Sequence, residues 1–425
     1  MTATAPATWP DSPAGGALGD GRSALATCRP HDLDALCQVV RDRVALGHAI
    51  YPQGGCTALD YGGIPRRPGV AVDTRSLSQL IDYPFADMTI TVAAGMTLSA
   101  LRAILAEHQQ RVLVDAPFPD RATLGGIYAT NTTGSRRYGA GRPRDQIIGV
   151  SFVTAEGAVV KGGGRVVKNV AGYDFPKLLT GSMGTLGIIT QMTLKVRPIP
   201  EAAAIAWIPF TSVQPLTDAL DQLNTSGTRP IALDLLNPSA AGMIGQGLGL
   251  PGDRAVLVLG FEDTVESVQW QIGRLTTELG RTDLTVVEGE PTAPLWDALT
   301  EFQARSLGPI GFVANVRPSS VATFSLALDP EKWSVQAHAG NGIVRGQALG
   351  ERTLEEAAGE IDALRRSAVR DGGNLILARC PTEWKERLRV WGQPRPDWAI
   401  AERVRAALDP HGAMNPGRFV WGSLT

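Results

Sequence analysis

Cysteine is scarce in this chain: four residues in 425, at Cys28, Cys37, Cys56 and Cys380. None forms a C-x-x-C or stands close to a histidine, so a disulfide framework, a zinc site and an iron–sulfur cluster all lack their sequence signatures. Such a thiol inventory suits a reducing, cytoplasmic compartment. A chain of this kind that handles electrons must borrow its carrier or pass electrons to a partner. Apolar runs long enough to span a bilayer are missing too. So is an excess of charge of one sign, with 40 Lys and Arg against 42 Asp and Glu. Without a basic stripe interleaved with aromatics, the electrostatic footprint of nucleic-acid binding is absent. No G-K-[ST] occurs, which removes the P-loop nucleotide hydrolases. Residues 1–30 are rich in Ala, Thr, Pro and Gly and lack an apolar h-region, so they predict a disordered tail rather than a signal peptide.

What the chain has is glycine, in three ordered runs. They are Tyr51–Gly63 (YPQGGCTALDYGG), Ala122–Gly141 (ATLGGIYATNTTGSRRYGAG) and Gly181–Arg197 (GSMGTLGIITQMTLKVR). Glycine lets a backbone approach a ligand closely, and successive turn N–H groups form a concavity for an anion. Three runs together suggest a long, phosphate-bearing cofactor. A formal G-x-G-x-x-G at Gly247, Gly249 and Gly252 contains Pro251, follows no strand and opens no helix, so it reads as a surface loop. The apolar periodicity predicts helices over Asp32–Leu46 and Leu98–Gln109, the second capped by Thr97. Strands are expected at Gly69–Asp73, Met88–Ala94, Arg111–Ala116, Gln146–Thr154 and Gly187–Arg197. Pro198 and Pro200 then mark a domain boundary. Beyond it, strands near Ile205–Phe210, Ile231–Leu236, Ala255–Phe261, Leu284–Glu288, Gly311–Val316 and Ser334–Ala337 alternate with helices at Val265–Leu279, Leu354–Arg370 and Trp398–Leu408. The expected fold class is α+β in two domains, at about 31–198 and 199–394, with 395–425 as a closing segment.

In their order, the three runs resemble the flavin domain of the vanillyl-alcohol oxidase/p-cresol methylhydroxylase superfamily over about residues 49–197. That resemblance implies a PCMH-type FAD-binding domain followed by an α+β cap with an antiparallel sheet and helices. The first loop would wrap the FAD pyrophosphate with Gly54, Gly55, Cys56, Thr57 and Leu59. The middle run matches A-T-x-G-G…N-x-x-G and would bring Pro117, Thr123, Gly125, Gly126, Asn131 and Gly134 to the flavin. The strand G-T-L-G-I-I would contribute Gly184, Gly187, Ile188 and Ile189. Near the C-terminus, D-P…N-P-G-[RK] would return Arg418 to the flavin domain. Cys56 departs from the pattern, standing where many relatives have a third glycine. No histidine lies in the runs, so the FAD is expected to be non-covalent.

Within that superfamily, Gly163–Asp174 (GGRVVKNVAGYD), Gly181-Ser182 and Asn415–Arg418 look most like the FAD-binding E subunits of glycolate oxidase (glycolate dehydrogenase). The implied activity is oxidation of glycolate, a 2-hydroxy acid, to glyoxylate. The implied partners are a homologous catalytic flavoprotein and an iron–sulfur subunit, through which a cytoplasmic chain could sit peripherally on a membrane. Related D-2-hydroxy-acid dehydrogenases bind a metal through an H-x-H…G-x-G-x-x-H segment and a later Glu-His pair. Here the corresponding segment reads Gln336-Ala337-His338 and ends at Arg345, and Asp371-Gly372-Gly373-Asn374 stands near the later pair, so no metal site is expected. His338 is the candidate base or hydrogen-bond donor, against a structural histidine. Arg317 and Arg345 are candidates to hold a carboxylate, against solvated or paired arginines. Two rival readings remain: a stand-alone FAD-dependent dehydrogenase or oxidase of another hydroxy acid or alcohol, and a non-catalytic interaction subunit that keeps the fold.

Overall fold

The computed structural model describes residues 16–164 and 172–420. Residues 1–15 of the expected tail and 165–171 of the G-G-R-V-V-K-N-V-A-G-Y-D stretch lie outside the described residues.

The N-terminal domain has two larger sheets and two small two-stranded ones. Thr27–Cys28, Gly69–Asp73 and Ala49–Gln53 form a three-stranded parallel sheet with Gly69–Asp73 in the centre. Joining its outer strands is the helix Leu33–Ala45, whose N-terminus is closed by the Asp32 side chain accepting from the Ala35 N–H. Leu36, Val39 and Val40 of that helix pack on Ile50, Val70 and Val72. The second sheet has five antiparallel strands in the order Val159–Gly163, Ile147–Val153, Ile188–Lys195, Thr89–Ala93 and Leu80–Asp82. Thr97 caps the helix Leu98–Ala106 as its sequence predicts. The strand expected over Arg111–Ala116 shortens to Gln110–Arg111, paired with Arg197–Pro198. Chain from 16 to 30 is ordered, which corrects the tail: Ala17–Gly19 and Arg22–Ser23 form a hairpin before the first parallel strand. Composition misled here, because apolar residues of the segment, Leu18, Ala24 and Cys28, are buried against distant strands, and a distant charge cluster holds Asp20.

From Ala202 the strands enter a different sheet, eight-stranded and antiparallel throughout. Its order is Thr285–Glu288, Ala202–Phe210, Ala255–Asp263, Ala232–Leu236, Trp333–His338, Ile343–Ala348, Gly311–Asn315 and Asn374–Arg379. The strand at Ile343–Ala348 escaped the sequence reading because it carries Gly346. A Cβ there would lie 2.2 Å from the ring of Phe312, so a bulky neighbour dictates the glycine. Side chains alternate between the faces of a strand. Leu233, Leu235, Val335, Ala337 and Val344 point to one face and form a core with Leu216, Val268, Leu275 and Ile361 from three helices. The intervening positions, Asp234, Gln336, His338, Arg345 and Gln347, give the opposite face a polar row, and that face meets the N-terminal domain.

The chain ends are tied by a buried ion cluster. Asp20 accepts from Lys385 Nζ at 2.6 Å and from Arg418 Nη1 at 2.5 Å, and the three side chains are at most 5% exposed. Lys385 also donates to the carbonyls of Asp60 and Gly62, and Arg418 to those of Gly63 and Leu18. The first glycine run is thereby held from both sides. Replacing Asp20 by Ala would leave two buried cations without a carboxylate, and the expected cost is about 3–5 kcal/mol. Urea unfolding of Asp20→Ala checks this; a loss under about 1 kcal/mol would mean that water or another anion compensates the cations.

Candidate active site

The three glycine runs converge in space. A Cβ on Gly54 would fall 2.0 Å from Thr123 Oγ1, and one on Gly55 would fall 1.7 Å from the Arg121 carbonyl oxygen. The first loop therefore lies directly on the start of the middle run, where Thr123 caps the helix Leu124–Thr130. In the last run, Gly181 donates its N–H to the Tyr128 carbonyl and Met183 to the Ala129 carbonyl. From the C-terminal element, Asn415 Nδ2 donates to the Met183 carbonyl at 2.6 Å. Met414 bridges to Ile50 at the root of the first loop.

Backbone strain gathers at this junction. Cys56, Phe118, Asn131, Met183 and Asn415 all have φ between 44° and 57°, a region that non-glycine residues seldom occupy unless their surroundings impose it. Cys56 (φ 56°) thus holds a backbone conformation that a glycine would adopt without strain. Its thiol is exposed, and burial of part of the group raises its pKa, which does not favour a reactive thiolate. Buried polar atoms also lack partners nearby: Tyr128 Oη, Asn131 Oδ1 and Ser182 Oγ. These atoms keep free hydrogen-bonding capacity, and together with the close-packed glycines they fit a cofactor that threads the three runs.

Not every residue of the runs reaches that junction by its side chain. Gly134 packs on Asp115, and Gly125 on Ala94. Gly184 (φ 69°) rests against Pro52, and Gly187 against Phe152 within the sheet. Ile188 and Ile189 bury their side chains in two separate cores, so only their backbone is available. Leu59 offers its carbonyl to the close approach of Gly19, while Pro117 precedes the strained Phe118. Thr57 stands exposed on the loop. Arg418 spends its guanidinium on Asp20 and two carbonyls, so it shapes the first loop rather than reaching past it.

The polar row of the eight-stranded sheet faces the middle run. His338 is 2% exposed, and its Nδ1 lies 2.7 Å from Asp234 Oδ1 on the adjoining strand. Its Nε2 has no partner. Arg345 lies opposite Gln336 on the next strand. Its Nη2 donates to the Thr133 carbonyl at 3.3 Å, while its Nε is unpartnered. Among the described residues no carboxylate pairs with Arg345. Burial pulls its pKa down to about 10, with Arg137 adding to the effect against Tyr61 and Asp234. Even so lowered, it stays a cation at neutral pH. Tyr61, from the first loop, is driven the other way by burial, to about 12. A part-buried guanidinium without a counter-anion has the charge and the donor fork that suit a carboxylate. Arg317 drops out of this group: it sits at the surface, 66% exposed, and pairs with Asp371 at 3.1 Å.

Two parts of the site went unnoticed in the sequence. Asp234, fully buried, accepts from Ser135 Oγ at 2.5 Å and from Gln336 Nε2 at 2.8 Å in addition to meeting His338. Its signal was a lone carboxylate inside an apolar strand (I-A-L-D-L-L). Arg136 bridges the domains. It bonds Asp115 at 3.0 Å and Glu262 at 2.8 Å and stacks 3.9 Å over Trp296. Burial works against its charge, yet Asp115 and Glu262 outweigh that and raise its pKa. Among the described residues no three His, Cys, Asp or Glu side chains gather in a metal-binding group.

Comparison with known proteins agrees with this geometry. Residues 24–163 match the FAD binding domain family. Glycolate oxidase subunit GlcD of Bacillus subtilis is 25% identical over 423 residues, covering 93% of this chain and 88% of that protein. Glycolate oxidase subunit GlcE of Escherichia coli is 35% identical, but over 136 residues, 32% of this chain and 39% of that protein. Among solved structures, an alkyldihydroxyacetonephosphate synthase superposes with a TM-score of 0.68 at 17% identity, covering 94% of this chain and 78% of its own. The chain thus has a PCMH-type flavoprotein fold, takes FAD as its cofactor, and is a homologue of FAD-linked oxidoreductases. The likeness to E subunits is confined to about a third of the chain, whereas the likeness to a D subunit runs nearly end to end.

A Val at Gly55 would force the first loop off the Arg121 backbone. FAD affinity should fall about tenfold or more, equivalent to about 1.4 kcal/mol. The flavin absorbance of purified Gly55→Val reads this directly, and stoichiometric FAD in the variant would refute the loop's role.

Proposed function

We propose that this chain oxidises a small 2-hydroxy acid, glycolate foremost, to the 2-oxo acid, as the FAD-carrying subunit of a glycolate dehydrogenase complex. The observation that carries the reading is the buried, unpartnered His338 Nε2 beside the unpaired cation of Arg345, both on the sheet face turned to the glycine runs. FAD would be held by the backbone of Gly54–Thr57 and Thr123–Gly126, with Asn131, Gly134, Ser182 and Gly184 completing its surroundings. When bound, FAD supplies the acceptor for a hydride.

The roles of the protein groups follow from their chemistry. Arg345 forks two N–H donors toward the substrate carboxylate. His338 Nε2 accepts the hydroxyl proton as the carbinol C–H bond gives up its hydrogen with both electrons, leaving a C=O. Closure between the sheet and the middle run keeps water from the reacting atoms. The match to the Escherichia coli glycolate oxidase subunit supports assembly with further subunits, for which a homologous flavoprotein and an iron–sulfur chain are proposed. The base and the carboxylate cation within this one chain favour a second reading, a dehydrogenase competent on its own.

Anaerobic addition of glycolate or D-lactate to the FAD-loaded chain separates these. Bleaching of the flavin is expected. A spectrum that stays oxidised with both acids would overturn turnover by this chain alone. His338→Asn should slow bleaching by about 10²- to 10⁴-fold with FAD retained. Arg345→Met should weaken the acid's binding by about 10- to 100-fold, the loss of a charged hydrogen bond. Unaltered kinetics in either variant would remove that residue from the reading.

A further inference from the structure

We infer that Asp234 is a positioning residue that fixes which nitrogen of His338 can take a proton; the inference rests on His338 being the base. Asp234 is fully buried, accepts two hydrogen bonds from fixed protein donors and makes a third contact with the His338 ring. Oδ2 receives Ser135 Oγ at 2.5 Å and Gln336 Nε2 at 2.8 Å, and Oδ1 faces His338 Nδ1 at 2.7 Å. An ionised carboxylate can only accept. With Asp234 as a carboxylate, the hydrogen between Oδ1 and Nδ1 is assigned to the histidine, which places the ring's lone pair on Nε2. That nitrogen is the one without a protein partner.

The arrangement spans both domains. Gln336 is held in turn by the Leu299 carbonyl at 3.1 Å, and Ser135 arrives from the middle glycine run. The charged and titratable groups that share this space are Arg345 on the neighbouring strand, Arg137 on the middle run and Tyr61 on the first loop. None of them bonds Asp234, so the tautomer is set by the carboxylate and its two fixed donors.

An Asn at 234 inverts the logic without emptying the site. Its single oxygen is claimed by two donors, Ser135 and Gln336, which turns the amide NH₂ toward His338 Nδ1. That ring nitrogen must then accept, the proton moves to Nε2, and the base is blocked. The test is long-range ¹H–¹⁵N NMR on FAD-loaded protein labelled at histidine, with His338 identified by its absence in His338→Asn. Wild type should show the Nδ1–H tautomer and Asp234→Asn the Nε2–H tautomer. Flavin reduction in Asp234→Asn should fall about 10²- to 10⁴-fold, with FAD content unchanged. An Nε2–H tautomer in wild type would overturn the inference even if the variant failed to fold. So would an unflipped ring in a folded Asp234→Asn. A His338→Asn variant as fast as wild type is a different failure, since it removes the base and not the tautomer control.

Discussion

The structure turns on one docking event, the seating of Thr133–Gly139 on the polar face of the eight-stranded sheet. Each bond across this seam uses a group that would be costly to bury alone. Ser135 meets Asp234, and the Thr133 carbonyl accepts from Gln303 at 3.0 Å and from Arg345. The Gly139 N–H reaches the Ile231 carbonyl at 2.9 Å. Gly340 makes room for the ring of Tyr138, which would lie 1.9 Å from a Cβ there. Arg136 then closes the edge between Asp115 and Glu262, and Arg111 shares Glu262 at 2.6 Å. Without this seam the His338 imidazole and the Arg345 guanidinium would lie open to water, where charge is screened.

Glycine works differently in this site than in a simple phosphate cradle. Gly54 and Gly55 are small because another loop of the protein presses on them, at Thr123 and Arg121. The left-handed Cys56, Phe118, Asn131, Met183 and Asn415 show the same thing from the backbone side. Cys56, Asn131 and Met183 lie in the three runs, Phe118 just before the middle one, and Asn415 bonds the Met183 carbonyl of the last. Strain of this kind persists only when surrounding packing over-determines it, and the Asp20–Lys385–Arg418 cluster supplies that from beneath the first loop.

The FAD-domain likeness and the α+β organisation follow from residues read in order. Glycine runs, the Asp32 and Thr97 caps and the alternating S-V-Q-A-H of the Trp333–His338 strand are local signals, and local physics is what a sequence records most directly. The ordered hairpin at Ala17–Ser23 was hidden because its stabilising partners, Lys385 and Arg418, lie at the other end of the chain. The strand Ile343–Ala348 was hidden by a glycine whose reason is a phenylalanine on the neighbouring strand.

Residue type alone made Arg317 and Arg345 equal candidates. Strand position separated them, leaving one on the surface against Asp371 and the other on the inner face without an anion. Asp234 and His338 are 104 positions apart, and no spacing rule joins them. The sequence determined which side chains alternate with apolar ones, and hence that a polar row would exist. Only the pairing of Ala232–Leu236 with Trp333–His338 decided that a buried carboxylate would face an imidazole, because strand register is a property of the assembled sheet and not of either strand.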